Sequence, residues 1–292
     1  MRINPVYLKD LKLNVRSIKF ALLIFTYNLC FGIAIILFLY IGMHKGNGQL
    51  AFDYESCEQM YSLISGMELV SIFFIVPALT AGAVAGEREK HTLDLLLTSK
   101  LKALHFICGK MAYVVTVVFV IIISGFPLTT VLTVTRSMPA KLELQFLILL
   151  FVTSLYVTSV GIFFSTIKNS TISAAVWTYV FLILITVGTI VLYNLNGYMR
   201  EDMRIHNANE FSGIYYMFLL NPLSTYVYMF FGSRQSGIVE WVPAFMQSDW
   251  IEFSIFIQML TSMTLIGISS YVLKMHGFKK SFLPKSRKRK TL

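Results

Sequence analysis

Residues 86–101 read Gly86-Glu87-Arg88-Glu89-Lys90-His91-Thr92-Leu93-Asp94-Leu95-Leu96-Leu97-Thr98-Ser99-Lys100-Leu101, a charged turn between two apolar stretches. The run 66–86 before it carries one charge, Glu68, and at about 1.5 Å per residue is long enough to cross a hydrocarbon core of about 30 Å as a helix. The Glu-Arg-Glu-Lys turn therefore marks where a helix leaves a bilayer. Beyond it, Thr92 can cap a second, short helix with Asp94 in its positive first turn. Leu93, Leu96 and Leu97 then share a face that so short a helix cannot bury unaided. That face needs lipid or another protein.

Working outward, the rest of the chain has the same character. Of 292 residues, 56% are hydrophobic and 14% charged, with a mean hydropathy of +0.68, whereas soluble domains are nearer a quarter charged. Six apolar stretches are long enough to span: 20–42, 66–86, 110–134, 144–166, 171–193 and 251–273. A seventh, 211–232, is divided by Asn221-Pro222 into halves too short to cross alone, since proline removes a backbone donor and restricts its predecessor. The sequence thus predicts an all-α integral membrane protein of one domain with six transmembrane helices. Between the fifth and sixth, the segment 194–250 forms external cap or re-entrant helices, its Tyr and Trp residues suited to the headgroup level.

The net charge of +10 would suit a nucleic-acid binder if it were spread over one surface. Its placement argues otherwise. With six spans, 19 of the 25 Lys and Arg residues fall on one side, in segments 1–19, 87–110, Lys168 and the tail 274–292. The positive-inside rule makes that side cytoplasmic and puts both termini there. No nucleic-acid partner is expected. Asn4 can cap a helix that begins with Pro5, and Leu8, Leu11, Val15 and Ile18 lie beside a stripe of Lys9, Lys12, Arg16 and Lys19. Residues 1–19 therefore read as an interfacial amphipathic helix on the bilayer, followed by a retained first span rather than a cleaved signal. Cys30, Cys57 and Cys108 fall in three different compartments, which argues against a disulfide framework or a cysteine metal site.

Catalytic constellations are missing from the sequence. There is no phosphate-cradling G-x-x-x-x-G-K-[ST] loop and no H-E-x-x-H pair, so the chain is expected to bind no cofactor or metal and to hydrolyse no ATP itself. An ATP-independent immunity protein or intramembrane peptidase is disfavoured for want of paired ligands or nucleophile and base. A secondary transporter would need more buried polar groups. Glu68 reads either as a polar contact in a translocation path or as an interfacial carboxylate reaching water. Ala78, Gly82 and Gly86, spaced four apart, form a small-residue stripe of the kind that lets helices approach closely.

The run from Gly86 to Leu101 resembles the Gly-Glu-Arg-Glu-Lys-x-Thr-Leu-Glu-Leu-Leu-Leu-Thr-Ser signature of bacterial ABC-2 type permeases, the membrane subunits of type V ABC exporters. Phe126-Pro127-Leu128 in the third span and Leu220-Asn221-Pro222-Leu223 before the sixth agree with it. Two positions depart: His91 stands at the usual glycine and Asp94 at the usual glutamate. The resemblance implies a separate nucleotide-binding subunit, in two copies, that binds ATP and Mg. The helix Thr92–Thr98 would be the coupling element seated in it, with Glu87, Arg88 and Glu89 as a polar hinge. A second permease copy, usually identical, would complete the path, which the second and fifth spans typically line. The implied setting is the bacterial cytoplasmic membrane, and the implied activity is export of an amphipathic or lipophilic cargo, a toxin-like or antimicrobial peptide before a drug or lipid.

Overall fold

The computed structural model describes residues 4–45, 54–93, 103–134, 140–203, 216–231 and 249–281. Its helices are α1 (Pro5–Val15), α2 (Ile18–Lys45), α3 (Tyr54–Ala81), α4 (Ala85–Glu89), α5 (Ala103–Val134), α6 (Ala140–Ile167), α7 (Thr171–Met203), α8 (Pro222–Phe231) and α9 (Trp250–Ser281), with a 3-10 turn at Phe218–Leu220. No strand occurs among the described residues. Six of these helices, α2, α3, α5, α6, α7 and α9, are long and apolar enough to cross a membrane, so the all-α, six-span expectation holds. Hydropathy underestimates their length. The second begins at Tyr54, where polar side chains continue the helix beyond its apolar run.

The bundle is organised around α6, against which α3 and α9 pack most extensively and α5 and α7 also lie. Its buried face mixes Leu149, Leu150, Val157 and Val160 with Thr153, Ser154, Thr158 and Ser159. Small hydroxyl side chains suit a central helix, because they bond to their own preceding turn and admit neighbours closely. Ser154 and Ser159 donate to the carbonyls of Phe151 and Tyr156 in this way. The outer faces of α2 and α7 carry exposed Leu22, Phe25, Ile36, Ile183, Leu184 and Val187, as helices bathed by lipid would. Val6 near the chain start and Leu273 in the last helix share one buried cluster, so the two ends of the described chain meet at one end of the bundle.

One expectation about the second span is corrected. The helix does not run to Gly86: it stops at Ala81, turns through Gly82–Val84 and restarts as α4. Such a break strands backbone donors that lipid cannot satisfy, and Ser165 of α6 supplies the remedy. Its Oγ accepts from the amides of Val84 and Ala85, 3.0 Å each, and donates to the carbonyl of Ala81 at 2.9 Å. The small-residue stripe is interrupted by the same turn. Ala78 and Gly82 are exposed, and added carbon at Gly82 or Gly86 would meet only the Thr171 methyl, at 3.7 and 3.5 Å. The close approach within the chain is elsewhere, where Gly161 of α6 faces Thr80 of α3 with no room for a Cβ.

The Asn-Pro element forms the short helix α8, preceded by the 3-10 turn. Asn221 is buried and caps α8 by accepting from the Leu223 amide at 3.0 Å. Its amide nitrogen donates to the Thr186 carbonyl at 3.2 Å and to Thr189 Oγ1 at 2.9 Å. These anchors lie in the middle of α7, so a ten-residue helix is held against the bundle at depth. On its other sides, Tyr226 Oη contacts Ser65 Oγ at 2.9 Å and donates to the Ser62 carbonyl, while Thr225 meets Ser254 and Gln258 of α9. Most of the expected external segment, 204–215 and 232–248, and the tail from 282 lie outside the described residues.

Candidate functional site

The Glu-Arg-Glu turn is a five-residue helix whose three charged side chains reach different helices of the same chain. The turn closes on itself first. The amide of Thr92 donates to the Glu87 carbonyl and that of His91 to the Arg88 carbonyl, both at 3.0 Å, the paired pattern that ends a helix through one left-handed residue. His91 is that residue, with φ of 54°. The position suits glycine, and a side chain there costs on the order of 1–2 kcal/mol. The departure seen in the sequence is therefore a strained substitution at a left-handed cap, with the turn's geometry kept.

Glu87 faces inward. Its carboxylate accepts from the Thr92 hydroxyl and lies 3.3 Å from Lys110 Nζ of α5. Lys110 also pairs with Asp10 of α1 at 2.8 Å, and its side chain is only 8% exposed. Burial pushes the Glu87 carboxyl up, but the Thr92 hydroxyl and the Lys110 ammonium outweigh it and hold the group below the usual carboxylate range. Asn4 adds a link between the same elements. It caps α1 through the Val6 amide at 3.1 Å, as its sequence position predicts, and donates to the His105 carbonyl of α5. Gly109 makes room for it, since added carbon there would sit 2.8 Å from the Asn4 amide nitrogen.

Arg88 and Glu89 face the turn between α6 and α7. Arg88 donates through Nη1 to the Lys168 carbonyl at 2.8 Å and Asn169 Oδ1 at 3.0 Å, and through Nη2 to the Thr166 carbonyl at 2.8 Å. It thereby satisfies carbonyls that the end of α6 leaves free. Glu89 accepts from the Thr171 amide and hydroxyl, both at 2.9 Å, capping the start of α7. Each charge complements its helix end, a cation at the carboxyl terminus and an anion at the amino terminus.

Leu93 corrects another expectation. It is 5% exposed and packs among Val6, Val84, Phe106, Ile107, Ile162 and Leu273, so it anchors the turn to its own chain rather than facing a partner. Side chains of α1, α5, α6 and α9 bury it where the local sequence shows only a short apolar face. Asp94, Leu96 and Leu97, with the rest of the expected coupling helix to residue 102, lie outside the described residues.

Glu68 lies on α3 near the start of its membrane-capable stretch, which begins at Tyr61, and is 4% exposed. The carboxylate does not reach open water. It borders a water-sized space with Tyr61, Ser65 and Glu143. Among the described residues no three His, Cys, Asp or Glu side chains gather as a metal site. Asp10, Lys110 and Ser165 were not singled out from the sequence. Asp10 carried a signal, as the lone acid in the cationic segment before the first span. Ser165 carried none, because nothing local marks the break it repairs.

A family model described as ABC-2 family transporter protein matches residues 5–275, and the chain belongs to that family. No protein of curated function matches it.

Proposed function

From that membership, we propose that the chain is the permease subunit of an ATP-driven exporter in a bacterial cytoplasmic membrane. It pairs with a second permease copy, normally identical, and with two copies of a nucleotide-binding subunit that hold ATP and Mg. Both termini and the turn 82–93 face the cytoplasm, the interfacial helix α1 lies along the inner leaflet, and the α8 region is an external re-entrant cap. The cargo is amphipathic or lipophilic, with a toxin-like or antimicrobial peptide preferred. The observation that supports coupling through the turn is its connectivity. Glu87 reaches α5 and, through Lys110, α1; Arg88 reaches the end of α6; Glu89 reaches the start of α7. A push on residues 92–98 from below is thus delivered to four helices at once, as a rigid-body or hinge response requires.

The reading is tested by co-purifying the chain with a candidate nucleotide-binding subunit and measuring cargo- or lipid-stimulated ATPase activity. Leu96→Asp is expected to abolish co-purification by placing a charge on the docking face, while Glu87→Ala keeps the complex and lowers coupled activity about tenfold. Failure of any ATPase subunit to bind, or full coupling in both variants, removes the exporter reading and favours an ATP-independent role. Orientation has its own check. In intact cells, a membrane-impermeant thiol reagent is expected to label Cys57 and spare Cys108; labelling of Cys108 alone inverts the topology.

A further inference from the structure

Helix α2 leans on α5, with Tyr27 and Phe31 packed on Val117 and Ile121 and Asn28 donating to Ser124 Oγ at 3.0 Å. It touches α3 through Ile64 and Ile75 and leaves an opening between itself, the outer face of α3 and α8. The resulting groove has a volume of 860 Å³ and is walled by Leu23, Cys30, Met67, Val70, Phe74 and Val227, among others. Val70, Phe74 and Met67 are 38%, 65% and 45% exposed. We propose that this groove holds the acyl chain of an anionic phospholipid, with its phosphate at Lys19.

Shape and chemistry favour this occupant. The α3 wall runs from Ser62 to Ile75, a rise of about 20 Å, enough to take an acyl chain that crosses one leaflet's hydrocarbon, about 15 Å. An extended peptide is disfavoured by the walls. They are almost wholly apolar, and the Ser71 and Tyr226 hydroxyls already donate to the carbonyls of Glu68 and Ser62. The Tyr27 hydroxyl that also lines the groove is too little to satisfy the backbone groups a peptide would bring. A hydrocarbon chain needs none. Charge then selects the headgroup. On α2, Lys19, Leu23, Thr26 and Cys30 recur at helical spacing on one stripe, so exposed Lys19 stands one turn below the groove's lower wall. Arg16, also exposed, precedes it at the α1–α2 corner. Under the proposed orientation both cations lie at the inner leaflet, where anionic headgroups concentrate.

The test uses the full chain in nanodiscs. Phosphatidylglycerol and phosphatidylcholine carrying a photoactivatable group midway along one acyl chain are cross-linked, and the adducts are mapped by mass spectrometry. Adducts are expected on the α2 and α3 groove walls, about fivefold more with phosphatidylglycerol, the preference one surface cation gives. Lys19→Gln should erase that preference while keeping the adducts. Val70→Trp should remove them, and Ile183→Trp on the exposed face of α7 should leave them unchanged. Equal labelling of α7 and the groove, or a headgroup preference that survives Lys19→Gln, overturns the proposal. So does oxidative cross-linking of two chains through Cys30, which would put a second copy there. No ATPase subunit takes part and both leaflets of the disc are identical, so failure here leaves the exporter and its orientation standing.

Discussion

Replacing Lys110 by Met is expected to lower the stability of the chain by about 3–5 kcal/mol, the usual consequence of removing one member of a buried ionic group. Lys110 is the cation between two carboxylates, Asp10 at 2.8 Å and Glu87 at 3.3 Å, with side-chain exposures of 8%, 15% and 16% for the three residues. Without it, two carboxylates from different helices face each other in a poorly solvated space. They must take up protons or part, and parting separates α1 from α4. The triple variant Asp10→Asn, Lys110→Met, Glu87→Gln removes the charges together and should recover most of the loss, because the ammonium's packing over Phe106, 5.6 Å from the ring centre, is replaced by a thioether. Thermal unfolding in detergent reads both effects. Under the exporter reading the triple variant should fold and still couple ATPase poorly, since its neutral groups no longer tie α1 to the turn through a charged hydrogen bond. Equal stability of Lys110→Met and the parent would show that the triad carries no load.

How far the sequence reaches follows from the range of each signal. Apolar runs of about 20 residues report burial in lipid directly, so the six spans could be read without tertiary information. Asn4-Pro5 was legible as a cap and Asn221-Pro222 as a break for a similar reason, because both signals act within a few residues. The break after Ala81 was not. A run such as Thr80-Ala81-Gly82-Ala83-Val84-Ala85 is apolar and helix-permissive, and only the hydroxyl of Ser165, 80 residues on, makes the turn affordable in a bilayer. Leu93 failed in the opposite sense. Its short helix looked unable to bury it, and the missing partner proved to be the chain's own α1, α5, α6 and α9. The charged triplet lay between these cases. Its residue types marked a charged helix end and the family resemblance implied a polar hinge, whereas the helix each one holds depends on α6 and α7 ending beside α4. Residues 94–102, where the docking face is expected, lie outside the described residues.

Gly161→Ala is expected to be nearly as damaging as loss of Lys110, although it adds a single methyl group. That carbon would lie 2.0 Å from Thr80 Oγ1 and 2.7 Å from Thr80 Cβ. Turning the threonine to another rotamer moves the oxygen and leaves its Cβ in place, so relief requires α3 and α6 to separate. Overpacking a closed contact costs about 1–3 kcal/mol and at times more, and here the displaced pair lies one helical turn from Ser165. As α6 moves away, the Ser165 hydroxyl leaves the amides of Val84 and Ala85, which lose their partner beside the bilayer. The break should loosen before the rest of the bundle does. Hydrogen exchange is therefore expected to speed up at Val84 and Ala85 while the amides of α8, pinned by Asn221 to α7, keep the parent rate. Thr80→Gly in the same chain removes the three atoms nearest the new methyl. It should restore protection at Val84 and Ala85, yet leave the protein up to about 1 kcal/mol short of the parent because glycine adds backbone entropy to the unfolded chain even near the end of α3. Thr80→Ala should rescue less, since its Cβ remains at 2.7 Å. That ordering separates a steric pivot from general destabilisation, which would speed exchange in α8 and at the break alike and respond equally to both second-site changes.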